Sequence, residues 1–196
     1  MGPLFGAPLL LVEGDDDYRI WSQVPRHHVI KLAVLPSNGD EIKRYQTALE
    51  NILRSLCEKR SNPMGYALLD ADKPAPTPSS VSQNFIRYVN LNCHEAENLY
   101  LTQNVLSALG HTWETAKKAL IAEAASYGQK RALIEACLNW DRPRADIKTI
   151  INEVAAILDK KNVPWSVRVG TAIGKERPAG ELGDFLGSAL VSALWP

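Results

Sequence analysis

The segment Leu10-Leu11-Val12-Glu13-Gly14-Asp15-Asp16-Asp17 changes from wholly apolar to strongly acidic at a single position. An apolar run without polar alternation is typical of a strand that is covered on both faces of a parallel sheet. Residues 15–24 then predict a helix, because an aspartate suits its first turn, apolar side chains recur on one face and Pro25 ends it. The segment therefore predicts a strand, a tight turn at Gly14 and a helix.

The same alternation of strand and helix continues along the first half of the chain. Asp40 opens a predicted helix that runs to about Arg60. Three further apolar runs predict strands, at Val29 to Leu35, Tyr66 to Leu69 and Ile86 to Leu91. Strands and helices in this order predict an α/β fold, with a mainly parallel sheet of about four strands flanked by helices. Such sheets carry their functional sites at the carboxyl ends of the strands.

The second half of the chain has mostly helical periodicity. We predict a core over residues 1–101 and a helical extension over residues 102–196, with a short strand at Pro164 to Val169 and a terminal helix from near Gly180 that packs on the core. The predicted helices of this half are Glu95 to Leu109, Trp113 to Tyr127, Lys130 to Leu138 and Ala145 to Lys160.

Composition limits the classes of function. Lysine plus arginine and aspartate plus glutamate both number 22, so the net charge is zero and any contact with nucleic acid must be local. Three cysteines without a CxxC pair argue against a disulfide framework and favour a reducing cytoplasm. The four histidines show no zinc-site spacing, and no Gly-x-Ser-x-Gly elbow is present. We expect neither a leader peptide nor a membrane span.

Two acidic clusters follow two separate predicted strands. Glu13 ends the first strand, Asp17 lies in the first turn of the helix after it, and Asp70 and Asp72 follow the third strand. Parallel strands bring these carboxylates to the same edge of the sheet, and the strand period of two predicts that Asp70 and Asp72 share a face. Asp15 and Asp16, by contrast, are explained by capping of the helix.

Carboxylates this close repel one another unless a cation lies between them. Mg²⁺ or Mn²⁺ prefers such oxygen ligands, and a metal held there can orient water and polarise a phosphoryl oxygen. The sequence therefore predicts metal-dependent cleavage of a phosphodiester bond, with Glu13, Asp17, Asp70 and Asp72 as metal ligands.

At these residues the chain resembles the TOPRIM family. Leu10 to Asp17 is similar to the family's apolar-Glu-Gly-x-x-acidic signature, and Leu68-Leu69-Asp70-Ala71-Asp72 is similar to its Asp-x-Asp motif, with a turn at Ser37-Asn38-Gly39 between them. The match covers about the first 100 residues. The resemblance implies the Rossmann-like TOPRIM fold and places the predicted carboxylates in its metal site.

Two further segments resemble the OLD-like, ABC-ATPase-associated TOPRIM nucleases. His94-Glu95-Ala96-Glu97-Asn98-Leu99-Tyr100-Leu101 is similar to their Glu-Asn-Tyr-Leu-like segment, which implies that Glu97 is a further metal ligand, with Glu95 as the alternative. Either glutamate also suits a helix start. Gly174-Lys175-Glu176 is similar to a Gly-Lys segment, which implies that Lys175 stabilises the pentavalent phosphate. A solvated lysine is the alternative.

The resemblance implies a Mg²⁺- or Mn²⁺-dependent DNA endonuclease with a role in phage defence. It also implies an ABC-type ATPase as a fused domain or a partner subunit, and because no Walker P-loop is present we expect no ATP hydrolysis by this chain. Two alternatives stay open: a non-catalytic regulatory partner of an ATPase, and an RNA-cleaving TOPRIM enzyme. Formation of a homo-oligomer is also left open.

Overall fold

The protein has an α/β fold built on four parallel strands. The computed structural model describes residues 7–27, 31–56, 64–73 and 85–195. Within these residues the sheet has the order β2-β1-β3-β4, which confirms the predicted parallel sheet. Its strands and flanking helices in chain order are β1 (Leu9–Val12), α1 (Asp15–Gln23), β2 (Ala33–Pro36), α2 (Ile42–Leu56), β3 (Gly65–Leu69) and β4 (Ile86–Asn90).

Strand β1 lies in the middle of the sheet and is buried on both faces. It pairs in parallel with β2 and β3, with Leu10 opposite both Val34 and Tyr66. Leu10 and Val12 enter the larger hydrophobic core, whereas Leu9 and Leu11 enter the smaller core beneath α2. Successive side chains of a strand point to opposite faces, so an unbroken apolar run serves two cores at once.

Strand β2 begins later than the sequence predicts. It starts at Ala33, and Val29 and Ile30 of the predicted strand lie outside the described residues. Leu35 and Pro36 at its end are exposed. A proline cannot donate a ladder hydrogen bond, which suits its position on an edge strand.

Strand β4 forms the other edge of the sheet, and two side chains of α2 cover its beginning. The buried Glu50 accepts hydrogen bonds from the backbone N–H groups of Phe85 and Ile86, at 2.9 and 2.8 Å. Gln46 donates to the Ile86 carbonyl at 2.9 Å. Backbone groups that an edge strand leaves unpaired are therefore satisfied from the helix.

Within the described residues the second half consists of helices and the loops that join them, without a strand. Its helices are α3 (Gln103–Ala108), α4 (Trp113–Glu123), α5 (Arg131–Glu135), α6 (Ile151–Leu158), α7 (Trp165–Lys175), α8 (Gly180–Leu186) and α9 (Ser188–Leu194). They are shorter than predicted, and the segment predicted as a helix from Ala145 is helical only from Ile151. No helix of the described residues is long and apolar enough to cross a lipid bilayer.

The predicted strand at Pro164 to Val169 is wrong, because α7 begins at Trp165. The segment alternates apolar and polar residues, which imitates a strand. In the structure Trp165, Val169 and Ile173 are buried at intervals of four, the spacing of one helix face. Pro164 precedes the helix at its N-cap, where its missing N–H costs nothing.

Helix α7 packs directly against α1. A Cβ atom added at Gly170 would lie 2.2 Å from the Ile20 carbonyl oxygen and 2.8 Å from Cβ of Gln23. Only glycine lets the two backbones approach this closely. The larger core accordingly joins residues from both sides of the predicted boundary at residue 101.

Candidate metal and catalytic site

Glu13 lies at the carboxyl end of the central strand, where its side chain is only 8% exposed. Its Oε2 atom forms an ion pair with Lys73. Its Oε1 atom is buried and has no hydrogen-bond partner within the described part of the chain. A buried carboxylate oxygen without a partner is costly, so this atom marks a place where a ligand or cation would be stabilising.

The turn after β2 holds the backbone of Glu13 in place. Both the backbone N–H and the hydroxyl of Ser37 donate to the Val12 carbonyl at 2.9 Å, and the Gly39 N–H donates to the Glu13 carbonyl at 2.5 Å. Asn38 and Gly39 adopt left-handed φ values of 57° and 66°. Asparagine and glycine tolerate this conformation best, which explains the Ser-Asn-Gly sequence at this turn.

Gly14 differs from the expectation of a tight turn. It is extended, with φ −136° and ψ −177°, and it forms the N-cap of α1. Its N–H donates to Oδ2 of Asp17 at 3.2 Å, so Asp17 supports the start of the helix while its carboxylate stays at the sheet edge. Asp15 and Asp16 are exposed, and Asp16 pairs with Arg19 at 3.0 Å. The capping interpretation of Asp15 and Asp16 fits these positions.

Asp17 and Asp70 are electrostatically coupled. Burial raises the pKa of Asp17 to about 7, and the negative charges of Glu97 and Glu13 add to the effect. Burial likewise raises the pKa of Asp70 to about 8, with further increases from Asp17 and Glu13. The pKa of Glu97 is also raised, chiefly by burial. We call Glu13, Asp17, Asp70 and Glu97 the acidic cluster, since they share one local field.

Lys148 supplies the positive charge beside the acidic cluster. Its ammonium donates to Glu95 at 2.9 Å and acts to lower the pKa of Asp17, Asp70 and Glu97. Glu95, the alternative to Glu97 as a metal ligand, is therefore paired with Lys148. Lys148 belongs to no recognisable motif and lies in a segment predicted to be helical, so no local pattern marks it as a site residue.

Asp72 and Lys175 are both exposed. Strand β3 ends at Leu69 and Asp72 is exposed in the turn that follows, so the strand period does not extend to it. Lys175 is exposed at the end of α7, where it lines a cavity of about 710 Å³ together with Gln103 and Arg168. Metal binding by Asp72 and a phosphate contact by Lys175 stay predictions.

The acidic cluster suits a hard divalent cation in its chemistry. All its donors are carboxylate oxygens, three of its pKa values are raised, and one Glu13 oxygen has no partner in the described chain. Among the described residues, however, no three Asp, Glu, His or Cys side chains form a group that could hold a metal ion where they now stand. Side-chain rotation would have to complete the coordination.

Comparison with known proteins adds one structural likeness. No protein-family profile and no curated protein matches the chain. The C-terminal region of the Xanthomonas campestris pv. campestris OLD protein aligns over 98% of this chain and 92% of its own length, with 14% identity and a TM-score of 0.43. A likeness at this level carries neither fold nor function from one protein to the other.

Proposed function

We propose that this chain is a metal-dependent nuclease of the TOPRIM type that hydrolyses phosphodiester bonds of DNA. The observation that carries the proposal is the pair of carboxyls, Asp17 and Asp70, whose pKa values are raised by burial and by neighbouring carboxylates. The charge of Glu13 contributes to both shifts, and its buried Oε1 has no hydrogen-bond partner among the described residues at the carboxyl edge of the parallel sheet. Apart from this geometry, the proposal rests on the motif resemblance.

The acidic cluster would hold Mg²⁺ or Mn²⁺ through Glu13, Asp17 and Asp70, with Glu97 as the further ligand. Bound there, the ion would supply Lewis-acid activation of the phosphoryl group and of the attacking water. The chain's own contribution is to orient these carboxyls, and Asp17 and Asp70, whose pKa values are raised to about 7 and about 8, would give up their protons on binding the ion. Lys73 would then have to release or share Glu13, with which it pairs in the described structure.

Lys148 is the second functional group of the proposed site. Its side chain is 58% exposed, so the ammonium can reach an incoming phosphate without leaving the neighbourhood of the acidic cluster. A fixed cation stabilises the charge that develops on the phosphoryl oxygens. We therefore assign to Lys148 the role that the resemblance gives to Lys175.

Nicking of supercoiled plasmid in Mg²⁺, Mn²⁺ or EDTA tests the proposal. Glu13→Gln, Asp17→Asn and Asp70→Asn should each abolish metal-dependent nicking, and Lys148→Met should slow it on the order of 100-fold. Asp15→Asn is the matched control, because Asp15 is exposed in the same acidic run, and it should leave the rate unchanged. Nicking that survives in Asp70→Asn would refute the assignment.

Two further variants test whether Asp72 and Lys175 belong to the site. A loss of nicking in Asp72→Asn would show that the exposed Asp72 turns inward on metal binding, and a loss in Lys175→Met would restore the phosphate contact to Lys175. Unchanged rates would remove both from the site. The two together define how far the site extends beyond the acidic cluster.

The alternatives are separated by substrate and partner. Cleavage of RNA in place of plasmid would identify the RNA-cleaving TOPRIM enzyme. Stabilisation by Mn²⁺ without any cleavage would instead favour the non-catalytic partner of an ATPase. The proposed ATPase association and phage defence rest on the segment from His94 to Leu101. A gain in nicking when an ABC-type ATPase and ATP are added would support that association.

A further inference from the structure

Asn98 is a wholly buried amide that joins two distant parts of the chain. Its side chain is 0% exposed. The amide nitrogen donates to the carbonyls of Arg142 and Ala145, at 2.7 and 2.8 Å. The amide oxygen accepts from the Glu95 N–H at 3.0 Å. All three hydrogen bonds satisfy backbone groups, and two of them hold a loop.

That loop carries Lys148. A further backbone hydrogen bond, from the His94 N–H to the Pro143 carbonyl at 2.7 Å, fastens the same loop beside the sheet edge. Residues 142–148 lie outside any α-helix or strand. Their path therefore depends on individual hydrogen bonds and on the buried side chain of Ile147, and it ends at the ammonium that pairs with Glu95.

The acidic cluster and the loop are thus held from one short segment. Glu97 belongs to the acidic cluster. Its neighbour Asn98 holds the loop that carries Lys148 through the two hydrogen bonds that its amide donates, which we call the clamp. A shift of this segment would move a negative and a positive group together. Such coupling fixes the relative position of two charges that come from parts of the chain far apart in sequence.

We propose that Asn98 is a positioning residue, which acts through the loop of residues 142–148 to hold Lys148 at the acidic cluster. This inference rests on the proposed function for its catalytic consequence, whereas the clamp itself is independent of catalysis. Asn98 touches neither substrate nor metal in this scheme. The two hydrogen bonds that its amide donates determine the position of the Lys148 ammonium before phosphate binds.

The loop has a second anchor, so loss of the clamp should not unfold the protein. The Arg142 guanidinium donates to the Leu101 carbonyl at 2.9 Å and pairs with Glu181. It also lies 5.3 Å from the centre of the Trp113 ring. These contacts and the buried Ile147 would keep the loop attached to the core, while the backbone between them and the Lys148 side chain lose their fixed position.

Asn98→Asp separates the clamp from the hydrogen bond that Asn98 accepts from the Glu95 N–H. Aspartate has the same shape and keeps the oxygen that accepts from the Glu95 N–H, but it loses the two donors. Asn98→Ala loses both functions. Asn104→Asp is the matched control, because Asn104 is exposed and its amide oxygen, which aspartate keeps, accepts from the Leu182 N–H.

Hydrogen exchange followed by mass spectrometry tests the clamp without reference to activity. In Asn98→Asp the amides of residues 141–148 should exchange at least about ten times faster, while those of α4 stay protected. Asn104→Asp should leave both regions unchanged. Unaltered exchange of residues 141–148 in Asn98→Asp would overturn the clamp.

A double-mutant cycle with Lys148→Met tests the catalytic consequence. Asn98→Asp should lower kcat by about the same factor as Lys148→Met, on the order of 100-fold, with a smaller effect on KM. The double variant should be no slower than either single variant. A normal kcat in Asn98→Asp, or losses that multiply in the double variant, would overturn the positioning role. An inactive wild-type protein with faster exchange in Asn98→Asp would refute the nuclease assignment and still support the clamp.

Discussion

Replacing Asp70 by asparagine should make the metal-free protein more stable while it abolishes the proposed activity. The pKa of Asp70 rises from 3.8 to about 8 in the folded state. A raised carboxyl pKa means that stability is complete below the unfolded value and is lost as the pH rises through the folded value. The free energy of unfolding of the wild type should therefore fall between about pH 4 and pH 8.

The size of this change in the free energy of unfolding follows from the same pH interval. Between pH 3.8 and pH 7, the cost of keeping Asp70 protonated reaches about 4 kcal/mol as an upper limit. The charge of Asp17 contributes to the raised pKa of Asp70, and the repulsion between the two carboxyls disappears when Asp70 is neutral. The two carboxyls therefore share this cost. We expect Asp70→Asn to exceed the wild type by about 2 kcal/mol at pH 7.5 in EDTA, and to match it near pH 4.

Urea unfolding followed by circular dichroism at both pH values measures this difference. Asp15→Asn provides the control, since it removes an exposed carboxylate from the same acidic run and should gain nothing. The reasoning would be refuted if Asp70→Asn showed the same difference from wild type at pH 7.5 as at pH 4. In that case neither burial nor the neighbouring carboxylates would raise the pKa of Asp70 in the folded protein.

Three other outcomes follow from the structure, each measurable by urea unfolding. Mn²⁺ should raise the free energy of unfolding of the wild type at pH 7.5 but raise that of Asp70→Asn much less, and equal gains would place the metal elsewhere. Gly170→Ala should cost about 2–3 kcal/mol because its Cβ would meet backbone at 2.2 Å. Gly14→Ala, where the nearest atom is 3.9 Å away, should cost less than about 1 kcal/mol, and similar losses in the two variants would contradict the close packing. Glu50→Ala should cost about 2 kcal/mol by leaving two backbone N–H groups of the β4 edge unpaired, and an unchanged midpoint would show that water replaces them.

The fold was predictable where local pattern and tertiary environment agree. The apolar run into Glu13 predicts a buried central strand, and β1 is that strand, with its carboxylate at the sheet edge. The start of α1 at Asp15 also follows from sequence, because its capping depends on residues within one helical turn. In both cases the determining contacts are local in the chain or follow from burial alone.

The site was less predictable where it depends on distant segments. Lys148 and Asn98 act through contacts between parts of the chain far apart in sequence, for which a single sequence has no local pattern. Asp72 was placed by a strand period that stops at Leu69. The segment after Pro164 satisfies both a strand period and a helix period, and only the packing of α7 on α1 decides between them.

The close contact between Gly170 and the Ile20 carbonyl has a consequence for synthesis on the ribosome. Helix α1 ends at Gln23, whereas α7, which covers it, begins only at Trp165 and is therefore synthesised much later. At usual translation speeds the delay is on the order of ten seconds. During that interval the apolar side of α1, including Trp21, lacks its native cover. Until α7 is made, this apolar side is open to non-native contacts, and the rate of translation between the two helices sets how long that exposure lasts.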